Sequence, residues 1–280
     1  FDTERLAMFF AVSDLLGTFH GTISKSMRFY YNPINAKLEP IGYDGHYFDR
    51  TENEPFISAE AAVDPRAGWT YNVYSSWFEL LFNNSARFNK KFVEAYMAAL
   101  KKVSSPDYLS EMLSELQPEI EENLAILHKD FPLQRDNIFE VGPDMFVFDT
   151  QHIYDRQAYI RNVLSEEPKI QAYVQQSSGD LTLALANTFR LPVQIVSVEA
   201  DGTLLTPLQD DDVLVGKRVS PEARDIPAFK LMPFELAGEL SDESTNKLTV
   251  TYRIIGSKKT YQIEPLPFPY QYNKSQGTEI

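Results

Sequence analysis

The sequence contains no cysteine. That excludes disulfides, thiolate zinc sites and a cysteine nucleophile, and with them the disulfide-stapled class of small secreted domains. No apolar run approaches the roughly 20 residues that cross a bilayer as a helix. Positive charge is scarce: 26 Lys and Arg stand against 40 Asp and Glu, a formal net charge of −14. Such a chain lacks the basic stripes that displace counterions from nucleic acid, and it is equally ill suited to an anionic membrane surface. Several motifs are missing too. There is no GxGxxG, no GxxxxGK followed by Ser or Thr, no HExxH and no GxSxG. His46, His128 and His152 show no ligand spacing. Asp210, Asp211 and Asp212 lack the glycine and terminal glutamate of a calcium loop, so they read as a solvated loop.

What is present is a large apolar fraction. Hydrophobic residues make up 43% of the 280 and aromatics 13%, enough to fill the core of one large domain or two ordinary ones. The chain opens at Phe1, without Met or a signal peptide, and already looks like mid-domain sequence, so a processed or truncated product is expected. From Thr3 to Gly17 the residues Leu6, Phe9, Phe10, Ser13 and Leu16 share a helical face, with Gly17 as the stop. Trp69, Val73, Trp77 and Leu80 mark a further helix. Phe88, Phe92, Tyr96, Ala99, Leu100 and Val103 mark another. Leu109, Met112, Leu113, Leu116, Ile120, Leu124 and Leu127 carry a long one, with Pro118 as a kink or a fresh first turn. Ile153, Gln157, Ile160 and Leu164 stripe a last helix between Thr150 and Leu164. Each stripe reads as core.

Near Ser177 the period changes. "LTLALANTFRLPVQIVSVEADGTLLTPL" alternates at period two, with Asp201-Gly202 as a hairpin turn. "KLTVTYRIIGSKKTYQIEPL" is a second strand pair around Gly256-Ser257. The pattern predicts a β-sandwich from about 178 to 270, with the boundary at "QQSSGD", Gln175 to Asp180. The expected division is 1–176 and 177–280, and the fold class is α+β.

The stretch that bears on function is "RFYYNPINAKLEPIGYDGHYF", Arg28 to Phe48. Met27, Phe29 and Tyr31 alternate with Arg28 and Tyr30 as in a half-buried strand, Asn32-Pro33 opens a turn, and the second strand runs into Asp44-Gly45. An aspartate and glycine at such a turn is how protein kinases present the carboxylate that holds Mg²⁺ against ATP phosphates, the glycine allowing backbone geometry that other residues resist. Asp-Gly is also an ordinary turn dipeptide. Upstream, Asp14 falls at the edge of the first apolar stripe, where a carboxylate is partly desolvated unless paired. Taken singly, Asp14 reads as a helix-end carboxylate, His20 in "GTFHGT" as a turn histidine, and Arg28 as half of a surface salt bridge worth little. The order of helix, Asp14, loop, strand, turn, strand and Asp44-Gly45 is more specific than any of them.

In that order the sequence resembles the CotH family, the spore-coat-H-type atypical protein kinases of bacteria. "FFAVSDLLGTFHG", "RFYYNPINAKLEPIGYDG", "LLFNNSARFNKKFVEAYMAALKKV" and "YDRQAYIRNVL" carry the resemblance, which covers roughly residues 4 to 165. It implies a mostly helical kinase-like C-lobe with a β-hairpin, followed here by an immunoglobulin-like β-sandwich. It implies that Asp14 is the catalytic-loop aspartate that accepts the proton of the acceptor hydroxyl and lies near the metal, that His20 and Arg28 line the same cleft, and that Asp44, followed by Gly45, ligates Mg²⁺ or Mn²⁺ carrying ATP. Two departures stand out. Lys25, Ser26 and Met27 occupy the place where the family has an Asn metal ligand, and the nucleotide-binding lysine and phosphate-covering loop belong to the family's N-lobe, which this stretch of chain does not supply. The chain by itself is therefore expected to be inactive or very weak. The implied activity is phosphoryl transfer from ATP to a protein hydroxyl, with an extracytoplasmic setting: secreted, periplasmic, or on the cell or spore surface. The competing expectation is a non-catalytic envelope or surface protein, whose kinase-like half is a scaffold and whose sandwich binds carbohydrate or protein.

Overall fold

The structure is a computed structural model. It describes residues 1–22, 26–43, 89–130, 150–177, 180–207, 212–214, 216, 218–219, 225–226, 228–235 and 248–268. The helix expected around Trp69 to Leu80 lies outside the described residues, as do Asp44 and Gly45. The class is mixed α and β. By contacts the described chain forms two units, one of residues 1–22, 26–43, 95–130 and 150–166, the other of residues 89–94 and 167–268.

In the first unit, α1 (Thr3–Leu16) starts where the Asp2 carboxylate accepts the Arg5 N–H, and ends at Gly17, whose φ of 67° is the left-handed geometry of a helix stop. The expected stop is thus met. The buried arc differs by one position. Leu6, Ala7, Phe10, Ala11, Ser13, Asp14 and Leu15 are buried, while Phe9 and Leu16 are half-buried. Its spine is Ala7, Phe10, Ala11 and Asp14, at i, i+3, i+4 and i+7. The two alanines mark the closely packed face that the larger side chains obscure.

The hairpin follows: β1 (Arg28–Asn32) pairs antiparallel with β2 (Lys37–Ile41), Arg28 opposite Ile41 and Asn32 opposite Lys37. Its turn is held by side chains. Asn32 Oδ1 accepts the Ile34 N–H at 3.0 Å and Asn35 Oδ1 accepts the Lys37 N–H at 3.0 Å, with Ala36 at φ 55°. The expected alternation along β1 stops early: Met27 is buried and Phe29 half-buried, but Tyr31 is 57% exposed. A two-stranded ribbon has no third strand to cover its turn end.

Three further helices are described: α2 (Lys90–Val103), α3 (Pro106–Asp130) and α4 (Gln151–Ser165). In α2 the expected stripe is buried at Phe92, Tyr96, Leu100 and Val103. In α4 Gln157 donates to the carbonyls of Val103 and Ser105 at 3.1 and 2.9 Å, satisfying groups left over at the end of α2. In α3 the expected stripe is fully buried at Leu109, half-buried at Met112, Leu113, Ile120 and Leu124, and exposed at Leu116 and Leu127, and Pro118 lies within one continuous helix.

The second unit is built of two facing sheets. One has the order β10-β4-β3-β13, from β3 (Ile170–Ser177), β4 (Asp180–Asn187), β10 (Ala228–Glu235) and β13 (Leu266–Pro267); β13 runs parallel to β3, and the other pairs are antiparallel. The other has the order β12-β11-β5-β6, from β5 (Val193–Ala200), β6 (Thr203–Leu204), β11 (Leu248–Ile254) and β12 (Tyr261–Ile263), with β7 (Val213–Leu214) also on β5. A short ladder joins β8 (Arg218–Val219) to β9 (Asp225–Ile226). Ile170, Val174, Leu183 and Phe234 of the first sheet share one buried cluster with Val193, Val198, Val250 and Tyr252 of the second. The Asp201-Gly202 turn has φ 49° and 74°, the doubly positive geometry of a tight hairpin. The sandwich starts earlier than expected, at Ile170. "QQSSGD" looks like a linker by composition, but it joins β3 to β4 as a hairpin, and Ile170, Ala172 and Val174 already alternate inward.

Candidate functional site

The hairpin is fastened to the start of α1. The Asp2 N–H donates to the Leu38 carbonyl at 2.9 Å, Lys37 Nζ reaches Asp2 Oδ2 at 3.2 Å, and Arg5 pairs with Glu39. Glu39 also accepts from Asn32 at 2.8 Å and Asn35 at 3.3 Å. The hydrogen bond from Asn32, helped by Asn35 and by the Arg5 charge, holds the Glu39 carboxyl below its ordinary pKa against the opposing pull of desolvation. The strand that leads to Asp44 is thereby fixed relative to the helix that carries Asp14.

Because Arg28 pairs with Ile41, the open end of the hairpin brings residues 26–28 beside residues 41–43. There the exposed Arg28 guanidinium lies over the Tyr43 ring, 4.9 Å from its centroid, and also donates to the Met27 carbonyl at 3.0 Å. Tyr43 is the residue before Asp44 in the sequence. His20 lies in the short 3₁₀ turn Phe19–Thr22 between α1 and the hairpin, its side chain outside what is described.

Asp14 has a different setting. It is fully buried, on the last turn of α1. The Tyr96 hydroxyl, from α2, donates to its Oδ2. Arg156, from α4, sets its guanidinium 4.0 Å from Oδ1 and donates Nε–H to the Asp14 backbone carbonyl at 2.8 Å. Arg156 also stacks over Tyr159, 5.3 Å from the ring centroid. A carboxylate removed from water requires compensation of this kind. The sequence places Tyr96 in a core stripe and Arg156 in the last helix, without linking either to Asp14. The available signal was a charge on each of two apolar stripes: Arg156 sits in the row Ile153, Arg156, Gln157, Ile160 and Val163, as Asp14 does in its own.

No protein-family model matches the chain, and no curated protein matches it. The resemblance to CotH kinases therefore rests on the quoted residues.

The resemblance implies that the Asp14 carboxylate lies near Mg²⁺. Magnesium keeps several waters and takes one or two carboxylates plus phosphate oxygens, which requires an open face. Asp14 offers none: it has no exposed surface, a hydroxyl lies on one oxygen and a guanidinium beside the other. Asp14 does not fit a metal ligand. Among the described residues no group of three or more His, Asp or Glu is arranged to hold a metal ion.

Asp212, read as part of a solvated loop, is half-buried and tied in. Lys90 Nζ approaches both its oxygens at 3.0 and 2.8 Å, Gln194 donates at 2.6 Å, and Arg253 Nε donates to Gln194 at 2.9 Å. Among the described residues no helix is long and apolar enough to cross a membrane.

Proposed function

We propose that residues 1–166 are the C-lobe half of a CotH-like protein kinase, transferring phosphate from ATP to a protein hydroxyl outside the cytoplasm, with Asp44 presenting the Mg²⁺-nucleotide. The observation that supports this most is the hairpin pinned to α1, whose open end sets a guanidinium over the ring that precedes Asp44. A cation beside a metal carboxylate is what a polyphosphate requires. Bound Mg²⁺ or Mn²⁺ would neutralise phosphate charge; the chain's own contribution is to orient it through the hairpin and Arg28. The sandwich agrees with an immunoglobulin-like module in its strand order, three antiparallel strands in one sheet and β12-β11-β5 in the other.

The test is transfer of labelled γ-phosphate to casein as a generic acceptor, with Mg²⁺ or Mn²⁺, by this chain and by the longest product of its gene. Asp44→Ala is expected to abolish transfer, and Arg28→Ala to reduce it about 10- to 100-fold, the worth of one charge-assisted contact. Transfer undiminished in Asp44→Ala would remove the proposal.

A second reading, a non-catalytic surface protein with a protein-binding sandwich, is favoured by one observation. On the outer face of the first sheet, Leu231, Ala184, Tyr173 and Leu266 stand opposite one another across all four strands, with Leu231 66% and Leu266 62% exposed, and Phe229 beside them 75% exposed. Exposed apolar rows of this kind mark interaction sites. Absence of nucleotide binding in the longest product would give this second reading the weight.

A further inference from the structure

We infer that Asp14 is a buried positioning carboxylate, part of a three-helix lock with Tyr96 and Arg156, and serves neither as the base nor as a metal ligand of any phosphotransfer site. The inference rests on the kinase-like reading only for the two roles it denies; the lock itself stands on geometry. Three elements far apart in sequence converge on one residue: α2 through the Tyr96 hydroxyl, α4 through the Arg156 guanidinium, and α1 itself. Both polar ends of Asp14 are engaged. Its carboxylate faces Tyr96 and Arg156, and its backbone carbonyl at the helix end accepts from Arg156 Nε at 2.8 Å as well as from the cap Gly17 N–H at 3.4 Å.

The location gives the lock its consequence. Asp14 is three residues before Gly17, where the chain leaves α1 in the left-handed conformation. The turn bearing His20 and the strand bearing Arg28 follow directly. Fixing the final turn of α1 against α2 and α4 fixes the point from which both depart. A base or metal ligand needs access to substrate or ion, which full burial denies. A lock needs burial, because a buried charge pair leaves few alternative arrangements that satisfy it.

The experiment uses the whole chain with Asp14→Asn, Tyr96→Phe and their double variant, followed by thermal unfolding, by backbone hydrogen exchange and by titration with Mn²⁺ alone. Asp14→Asn keeps the shape and removes the carboxylate charge that faces Arg156; its Tm is expected to fall by about 10 °C. Tyr96→Phe keeps the carboxylate and should lower Tm by about half as much. The double variant should fall short of the sum, since both act on one cluster. Exchange should quicken in residues 13–22 of Tyr96→Phe while Leu248–Ile254 keep wild-type protection, a local effect that general destabilisation would not give. Mn²⁺ titrations of folded wild type and Asp14→Asn should superimpose, whether or not the protein binds the ion. A wild-type Tm for both single variants overturns the lock. So does an Asp14→Asn protein that is folded but loses a Mn²⁺ response that Tyr96→Phe keeps. If Asp14→Asn does not fold, Tyr96→Phe decides, because a ligand or base role predicts no local opening. Failure of the kinase proposal shows separately, through Asp44→Ala.

Discussion

The helical unit and the sandwich bury side chains by different chemistry. Among the described residues the shared cluster of the sandwich is apolar apart from the Tyr252 hydroxyl, which donates to the Pro168 carbonyl at 3.2 Å, and the uncharged Asn187 is buried with its amide bonded to backbone. The helical unit places a carboxylate, a phenol and a guanidinium among its leucines and alanines. An apolar core is held by volume and area and tolerates exchange of like for like. A buried charge cluster is held by completeness: losing one member strands the others without solvent. The Asp212–Lys90 ion pair of the sandwich lies at the rim, with both side chains partly exposed. The two regions should therefore fail in different ways.

The largest expected effect compares one substitution of similar bulk in each. Arg156→Met removes the charge that compensates Asp14 and should destabilise the helical unit by about 3–5 kcal/mol. Leu183→Met, in the fully buried sandwich cluster, should cost less than about 1.5 kcal/mol. Urea unfolding followed at 222 nm, where helices dominate, reports the first; exchange protection of β4 and β11 reports the second. Similar losses would erase the distinction.

Next comes the sandwich backbone. A Cβ built on Gly216 would stand 2.1 Å from the Arg190 carbonyl oxygen and 2.7 Å from its carbon. Backbone atoms cannot rotate aside as a side chain can, so Gly216→Ala should cost about 1–3 kcal/mol through forced displacement. Gly202→Ala is a milder case. Nothing lies within 4 Å of its Cβ position, and the cost is that of φ 74° alone, roughly 1 kcal/mol. Chemical denaturation of both variants should rank them in that order; the reverse ranking would mean that the chain near Arg190 yields easily.

Sequence made local features legible and distant partners illegible, and Asp14 illustrates both. Gly17 as helix stop, Asp201-Gly202 as a tight turn and the Asn32 turn follow from backbone preferences acting over two to four residues, and the structure carries all three. The buried arc of α1 was misjudged by one position because Ala7 and Ala11 are weak signals beside Phe9 and Leu16. The partners of Asp14 lie 82 and 142 residues away, and no periodicity on α1 points to them. The long stripe of α3 shows the opposite error: a helical period predicts which residues share a face, but not that another element packs against it.

The smallest expected effect concerns the rim, and pH reveals its sign. Desolvation raises the pKa of the Asp212 carboxyl, but hydrogen bonds from Gln194 and Lys90 and the Lys90 charge outweigh it and hold the group below its ordinary 3.8. A carboxyl with a depressed folded pKa stabilises the fold above its unfolded value, and that contribution disappears as pH falls through the folded value. The contribution of Asp212 should thus be constant from neutrality down to about pH 4.5 and fade below 3.8. Lys90→Met removes the charge and one donor while leaving Gln194 in place. At pH 7 the variant should be less stable by no more than about 1 kcal/mol, since both side chains are partly exposed and salt screens the pair. Acid unfolding of wild type and Lys90→Met, followed through the β11 amides, should give curves that converge as pH falls through the lowered pKa of the folded Asp212 carboxyl. Curves that stay separated there would assign the effect of Lys90 to the packing of its alkyl stem rather than to its charge.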